Sequence, residues 1–255
     1  MPSYAILGAT GNTGHSILEH LKASPENRIN VYVRSKPKLE RMFPGLTVEP
    51  NVHIFEGDMN DVSLMSRCVA GVSAVFAVIA TNENVPKTSL AEDTARILVA
   101  ALRKIREEDA QTRLPRVVVL SSCTVNEHLS RDVPRLGRWI VHCAFRHIYD
   151  DLERAEAYYR QNEDWLNAVF IQPGGLLEAE QTGYELSTDI CGGAFLSYGD
   201  LAAGMIEVAD AGEKYDWKGV AVVPKGKGPD FQFGVLRNFI HGLSLYCFPW
   251  LYGWI

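Results

Sequence analysis

The sequence contains no uninterrupted run of about 18 apolar residues, the length that a membrane-spanning helix requires. Its most apolar stretch, residues 234–255, is interrupted by Arg237, His241 and Pro249. The first residues also lack a basic segment followed by an apolar one, so the sequence predicts no signal peptide. We therefore expect a soluble, cytoplasmic protein whose aromatic C-terminal residues seal its own core or pocket rather than contact a membrane.

Basic stretches and metal-ligand patterns are missing as well. The 25 Lys and Arg residues are outnumbered by 31 Asp and Glu residues, and the net charge of −6 argues against a nucleic-acid partner. No CxxC pair and no metal-ligand spacing of His, Cys and carboxylate residues occurs, so we expect no metal site. The cysteines are typical of reduced thiols rather than of a disulfide framework. They are Cys68, Cys123, Cys143, Cys191 and Cys247.

What the sequence does contain is a regular alternation of short apolar or β-branched runs with helical patterns. The runs predict strands over residues 4–7, 29–33, 52–55, 74–80, 116–120, 167–172 and 220–223. Strands that alternate with helices need right-handed crossovers, which place the strands parallel in one sheet with helices on both faces. The sequence therefore predicts an α/β fold with a doubly wound parallel sheet, the Rossmann fold.

A glycine-rich turn, Gly8-Ala-Thr-Gly11-Asn-Thr-Gly14, lies between the first predicted strand and the first helix. Gly8 permits a tight turn, Gly11 lets backbone approach a pyrophosphate, and Gly14 allows the helix to pack closely on the strand. The helix N-terminus offers free N–H groups and the positive end of its dipole to phosphates. Although the spacing is GxxGxxG rather than GxGxxG, this position predicts a dinucleotide site.

The end of the second strand indicates which nicotinamide cofactor is bound. An acidic residue there would hydrogen-bond the ribose of NAD, whereas this strand ends in Arg34, followed by Ser35, Lys36 and Lys38. A planar guanidinium suits a phosphate, so we predict NADP(H). The alternative is a solvated basic turn without a ligand.

Further candidates for cofactor contacts follow the third and fourth strands. Asp58 is placed to meet the adenine amino group or else to cap a turn, and Asp61 to cap the next helix. Ala80 and Thr81 should line the ribose and nicotinamide, because ligands of such sheets bind at the carboxyl ends of the strands.

A family resemblance adds to this interpretation. The segments GATGNTG, VRSKPKL, EGDMND, VVVLSS, AVFIQPGGL and SYGDLAAGM occur in this order. With them the chain resembles the atypical short-chain dehydrogenase/reductases, in particular the NAD(P)H-binding, NmrA-like group that includes the flavin/biliverdin-IX-beta reductases. It also resembles the averufin-oxidase-like oxidoreductases of fungal secondary-metabolite clusters, partly through the aromatic ending YCFPWLYGW. The resemblance covers nearly the whole chain.

The resemblance implies a set of cofactor contacts. Gly8, Thr10, Gly11, Asn12, Thr13 and Gly14 would hold the pyrophosphate, Arg34 and Ser35 the 2′-phosphate, Asp58 and Met59 the adenine, and Ala80 and Thr81 the ribose. Ser121, Ser122 and Cys123 would lie beside the nicotinamide, with Pro173, Gly174, Gly175 and Leu176 closing over it. We therefore predict one NAD(P)-binding domain over residues 1–255, with substrate-side segments at about 123–150 and 176–200 and an aromatic C-terminal tail at 231–255.

One departure from the ordinary short-chain dehydrogenases concerns the Tyr-x-x-x-Lys pair, in which lysine lowers the tyrosine pKa for proton transfer. Here the corresponding helix reads Tyr149-Asp-Asp-Leu-Glu153, so an acid occupies the lysine position. The only literal match, Tyr32 to Lys36, lies at the adenosine end and is a coincidence. The usual proton relay is therefore missing, which weakens any prediction of alcohol–ketone interconversion.

Four residues are candidates for hydrogen bonding or protonating a substrate: Ser122, Cys123, His128 and Tyr149. For Tyr149 and Cys123 the alternative is that each only packs against its neighbours. Planar conjugated acceptors can take hydride while the proton comes from water, since hydride transfer itself is the cofactor's chemistry.

We predict an NADPH-dependent oxidoreductase that reduces a bulky, planar, conjugated small molecule of the quinone, enone, iminium or flavin type, in fungal secondary metabolism. Two alternatives stay open: an NADP-binding regulator without catalysis, and a redox-neutral cyclase or isomerase that retains the cofactor. The expected state is a monomer or a weak homodimer.

Overall fold

The computed structural model describes residues 1–81, 83–230 and 233–247, and within the last range the side chains of residues 237 and 239–247. Ten strands and eight α-helices are present in this part of the chain. The strands are β1 Ser3–Leu7, β2 Arg28–Val33, β3 Val52–Glu56, β4 Ala74–Ala77, β5 Arg116–Leu120, β6 Ala168–Ile171, β7 Leu176–Leu177, β8 Tyr184–Ser187, β9 Leu196–Ser197 and β10 Gly219–Pro224. The helices are α1 Asn12–Lys22, α2 Lys36–Met42, α3 Val62–Val69, α4 Leu90–Glu108, α5 Arg135–Ala144, α6 Arg146–Arg160, α7 Tyr198–Asp210 and α8 Phe233–Cys247.

Eight of the strands form one sheet in the order β3-β2-β1-β4-β5-β6-β10-β8. Seven of them run parallel, so the predicted doubly wound α/β fold is confirmed, with its switch point between β1 and β4. The edge strand β8 pairs antiparallel with β10 and was not predicted. Its residues, Tyr-Glu-Leu-Ser, carry no apolar run, because an edge strand is only partly buried.

Each face of the sheet is covered by its own apolar layer. Along β1, Tyr4 and Ile6 belong to the layer under α1 and α7, whereas Ala5 and Leu7 belong to the layer under α3, α4 and α6. This alternation is the period of two that a strand imposes on its side chains. The wholly apolar strands predicted from the sequence are therefore those buried on both faces.

The end of the fourth predicted strand differs from the structure, whereas the predicted helix cap does not. Strand β4 ends at Ala77 rather than at residue 80, because its pairing with β5 stops at Val119 and the chain then passes over Gly8. The predicted helix cap is confirmed: Asp61 Oδ1 accepts a hydrogen bond from the backbone N–H of Leu64 at 2.8 Å.

The C-terminal helix α8 lies against α5. A Cβ atom on Gly242 would lie 2.0 Å from the carbonyl oxygen of Ala144, so the two helices touch where glycine has no side chain. Of the predicted aromatic tail, residues 231–232 and 248–255 lie outside the described residues. No helix in the described ranges is long and apolar enough to cross a membrane.

Candidate active site

The turn between β1 and α1 has the geometry expected for its glycines. Gly8 has a φ of +106°, a conformation that residues with a Cβ rarely adopt, and the N–H of Gly11 donates to the carbonyl of Gly8 at 3.0 Å. A Cβ on Gly14 would lie 2.2 Å from that same carbonyl oxygen, so only glycine lets α1 approach the turn. A Cβ on Gly11, by contrast, would meet only Gly8 O at an ordinary 3.5 Å.

The N-terminus of α1 has the features of an anion site. No side chain caps it, and its first turn contains no acidic residue. Thr10, Gly11 and Asn12 are at least partly exposed around it, whereas Thr13 is buried beneath. Uncapped N–H groups at the positive end of a helix dipole fit the pyrophosphate of a dinucleotide.

Basic residues surround the end of β2. Arg34 is exposed and makes no hydrogen bond or ion pair with any residue that the structure describes, so its guanidinium is available to a ligand. Ser35 caps α2, accepting from the N–H of Lys38 at 3.3 Å, and the Lys38 side chain is exposed. The nearby Glu56 carboxylate is engaged, accepting from the N–H of Lys36 at 2.8 Å.

The candidates for adenine and ribose contacts lie at the ends of β3 and β4. Asp58 is exposed, and its Oδ1 accepts from the N–H of Asn60 at 2.8 Å, as in a turn-capping aspartate. Met59 packs against the apolar layer under α3 and α4. Ala80 and Thr81 line a cavity that also reaches Asn12 of the glycine turn.

This cavity, of about 570 Å³, lies at the carboxyl ends of the parallel strands. Residues from both predicted substrate-side segments and from α8 contribute to its wall. The predicted residues in it are Asn12, Ala80, Thr81, Ser121, Ser122, Cys123, Tyr149, Pro173, Gly174, Gly175 and Leu176. Residues that the sequence did not single out include Arg138, Phe145, Gly192, Phe195, Tyr198 and Phe239. The structure thus joins the glycine turn to an aromatic-lined space in one continuous site.

Tyr149 lies on the wall of this cavity near the start of α6. Its hydroxyl lies within hydrogen-bonding reach of the side chains of Ser122 and Thr124, and burial raises its pKa. The Phe145 and His142 rings lie 6.2 and 5.7 Å from the tyrosine ring, centroid to centroid. Tyr149 is therefore a protonated phenol facing the cavity.

Cys123 has a neighbour that the sequence did not indicate. Its thiol is within hydrogen-bonding reach of the thiol of Cys191, and this contact together with burial raises the Cys123 pKa. Both residues belong to one small apolar cluster with Leu129 and Ala221. Burial and the contact with Cys191 thus favour the protonated form of the Cys123 thiol.

His128, a predicted substrate-binding or protonating residue, is not among the residues that line the cavity. Its side chain is exposed and lies 3.5 Å from Asp189 and 3.1 Å from Arg131. The reason is the turn that precedes it: Asn126 Oδ1 accepts from the N–H groups of His128 and Leu129, which buries Leu129 and directs His128 outward.

A second polar group, missed from the sequence, lies behind Ser121. Ser121 Oγ donates to Glu156 Oε1 at 2.5 Å, and Gln172 Nε2 donates to the same oxygen at 2.7 Å. Burial raises the pKa of Glu156. One signal was available: Glu156 follows Tyr149 by seven residues, which puts both on one face of α6.

A glycine turn packed against an uncapped helix, at the switch point of a doubly wound sheet, is the arrangement of dinucleotide-binding proteins of the Rossmann class. A family model described as NAD(P)H-binding matches residues 8–211, and the chain belongs to this family.

Its relatives share nearly the whole chain. The oxidoreductase ordB of Dothistroma septosporum is 41% identical over 252 residues, covering 99% of this chain and 94% of that protein. The oxidoreductase aflX of Aspergillus parasiticus is 40% identical over 253 residues, with 99% and 94% covered. The chain is therefore an oxidoreductase with an NAD(P)H-binding fold, as the resemblance in the sequence implied.

Solved structures confirm the fold at lower identity. A short-chain dehydrogenase/reductase from Veillonella parvula, in complex with NADP, has a TM-score of 0.69 at 19% identity and covers 90% of this chain and 99% of its own. The anaerobillin reductase ChuY from Escherichia coli O157:H7 has a TM-score of 0.67 at 15% identity, with 90% and 100% covered.

Proposed function

We propose that the protein is an NADPH-dependent oxidoreductase that transfers hydride to a bulky, planar, conjugated small molecule. The observation that carries this proposal is the cavity, which extends from Asn12 of the glycine turn to the aromatic side chains of Phe145, Phe195 and Phe239. Its volume of about 570 Å³ is in the range of small-molecule sites. Flat aromatic walls suit a flat, conjugated ligand.

The cofactor assignment is supported by charge at the end of β2. The glycine turn and the N-terminus of α1 would hold the pyrophosphate, and Arg34, with Lys38 nearby, would hold a 2′-phosphate. Ser35 and the adenine-side residues Asp58 and Met59 would complete the adenosine end. NADPH bound in this way supplies a hydride at the nicotinamide, and the protein's part is to orient the acceptor and exclude water.

The residues around Tyr149 support a planar acceptor rather than an alcohol or ketone pair. The lysine that would lower a tyrosine pKa is replaced by Glu153, which is exposed on the outer side of α6. Burial raises rather than lowers the Tyr149 pKa, so this phenol donates hydrogen bonds instead of serving as a base. We place the activity in fungal secondary metabolism, since ordB and aflX are fungal oxidoreductases similar over almost the full chain.

The test is NADPH oxidation by the purified protein with a panel of quinones, enones, iminium compounds and flavins. The matched variant is Gly11→Val, because the fold leaves ordinary space at this glycine while the new side chain would occupy the ligand side of the turn. We expect the variant to keep the free energy of unfolding and lose NADPH binding and turnover.

Tight NADPH binding without oxidation of any acceptor would contradict the proposal in favour of a regulator. Product formation without net NADPH consumption would instead indicate a redox-neutral cyclase or isomerase. Unchanged NADPH binding by Gly11→Val would show that the cofactor lies elsewhere.

A further inference from the structure

Four polar side chains form an unbranched hydrogen-bonded chain that ends at the cavity. At its inner end, Asn126 Oδ1 accepts from two backbone N–H groups, those of residues 128 and 129, at 3.0 and 3.2 Å. The Asn126 amide nitrogen must therefore be the donor to Gln172 Oε1, at 2.7 Å. Gln172 Nε2 is in turn the donor to Glu156 Oε1, so both amide orientations follow from the backbone. The chain ends at Ser121, whose hydroxyl bonds to the same Glu156 oxygen.

The fold makes room for this chain. Gln172 is only 1% exposed, and the first residue of β10 beside it is Gly219. A Cβ on Gly219 would lie 2.1 Å from Gln172 Oε1 and 2.6 Å from Asn126 Nδ2. Any other residue at this position would displace the hydrogen bond between the two amides.

The surroundings of Glu156 favour a bound proton. The groups that face its carboxyl from the residues just after β5 and β6 are the uncharged Ser121 and Gln172. The charged groups that act on it are Arg160 and Glu153 of its own helix. Burial is the largest influence and raises the Glu156 pKa, while Arg160 and the two hydrogen bonds partly oppose it. Ser121, at the other side of the hydrogen bond, lines the cavity.

We propose that Ser121 and Glu156 form a proton relay into the cavity, in which Ser121 is the catalytic donor to the substrate and Glu156 a positioning residue that supplies the proton. This inference rests on the proposed function. It gives the site a proton source in place of the missing lysine, on the same helix as Tyr149. The relay from Glu156 through Ser121 has a role only with a substrate that takes up a proton on reduction.

The step balances for a conjugated carbonyl. The acceptor takes a hydride at carbon, its π bond opens, and its oxygen takes the hydroxyl proton of Ser121. With the substrate bound, the Ser121 hydroxyl turns from Glu156 Oε1 to the substrate oxygen, and the carboxyl proton on Oε1 is donated to Ser121 Oγ as Ser121 releases its own. The resulting carboxylate takes a proton from water at its partly exposed side. The net reaction consumes one acceptor, one NADPH and one proton.

The test compares two acceptors in the wild-type protein and in Glu156→Gln, which keeps an oxygen for both hydrogen bonds but has no acidic proton. An enone requires a proton on reduction, whereas an N-alkylated iminium cation becomes a neutral amine on accepting hydride alone. We expect turnover of the enone to fall on the order of 100-fold, with the alkaline limb of its pH profile abolished, and turnover of the iminium cation to be unchanged. Glu163→Gln, exposed just beyond the end of α6 and not among the groups that act on Glu156, is the control and should leave both unchanged.

An equal fall with both acceptors would mean that Glu156 is only structural and would overturn the relay, as would unchanged enone turnover. A readout without turnover is the infrared difference spectrum between the wild-type protein and Glu156→Gln near neutral pH, in which we expect the carbonyl band of a protonated carboxyl group. If this band is absent in a protein that turns over the acceptors, Glu156 does not hold the proton, and its part in the relay is overturned while the proposed function stands. Failure of the wild-type protein to oxidise NADPH with either acceptor overturns the proposed function itself, and the relay with it.

Discussion

The two ends of the candidate site are built in different ways. The glycine turn is one contiguous segment between β1 and α1, in which Gly11 bonds to Gly8 and Gly14 packs on the same carbonyl. From outside the segment, Val78 and Ile79 after β4 pass over Gly8. The cavity is assembled from parts far apart in sequence, with Ser121 after β5, Tyr149 on α6 and Phe239 on α8.

This difference shows which contacts each end depends on. The turn requires its own glycines, the strand and helix that flank it, and the segment after β4 that passes over Gly8. The cavity requires that α6 be held against α4, and Asp151 does this: its two carboxylate oxygens accept from the N–H groups of Ala91 and Glu92 at 2.9 and 3.1 Å. A residue of α6 therefore caps α4, whose own N-cap, Ser89, makes no side-chain cap bond.

The largest effect should come from breaking the turn. Gly14→Ala places a methyl group 2.2 Å from a backbone oxygen, so we expect a loss of about 3 kcal/mol in the free energy of unfolding, together with loss of NADPH binding. Urea unfolding measures the free energy of unfolding, and cofactor titration measures NADPH binding. Gly137→Ala, in open space on α5, is the control and should stabilise the protein by about 0.5–1 kcal/mol. Equal stability of the two variants would contradict the packing argument.

Removing the tertiary cap should damage the assembled end alone. Asp151→Ala leaves two backbone N–H groups of α4 without their acceptor, for an expected loss of about 2 kcal/mol in the free energy of unfolding. We expect turnover to fall more than NADPH affinity, because α6 carries Tyr149 and the turn does not contact Asp151. Ser89→Ala, at the local cap position, is the control and should be nearly neutral. If Asp151→Ala lost NADPH affinity as strongly as turnover, at a temperature where the variant is folded, the glycine turn and the cavity would not be independent.

At the cofactor end, charge can be tested without disturbing the fold. Arg34→Ala should reduce the preference for NADPH over NADH roughly tenfold, which corresponds to about 1.4 kcal/mol of binding free energy. The measurement is the ratio of the dissociation constants of the two cofactors. Arg28→Ala, at the opposite end of the same strand, is the matched control. If both variants keep the wild-type ratio, Arg34 is only a solvated residue.

The smallest effect concerns pH. Because the Glu156 pKa is raised in the folded state, that state binds the proton more tightly than the unfolded chain, and folding stability falls as pH rises from the unfolded pKa through the folded one. Glu156→Gln lacks this titration, so its stability relative to the wild-type protein should increase from about pH 4.3 upward. Thermal unfolding of both proteins across this range measures the difference. Parallel curves would mean that Glu156 has an ordinary pKa.

Much of the architecture could be predicted because it depends on short-range patterns. Apolar runs predicted the central strands, since a strand buried on both faces must be apolar throughout. The glycine turn and the Asp61 cap are equally local, as each depends on residues within one or two turns of chain. A family resemblance also extended to the candidate contacts at Ser121 and Pro173, which line the cavity in the structure.

The sequence by itself thus determined the sheet, the glycine turn and the basic end of β2, since these depend on neighbouring residues and on periodicity. Only the tertiary structure decided that His128 faces solvent, that Cys123 meets Cys191, and that Gln172 joins Asn126 to Glu156. Such contacts join segments separated by 16 to 68 residues, and no local pattern encodes which partner a buried polar group will meet. The physical reason is that a buried donor or acceptor must find a partner somewhere, and packing alone decides where.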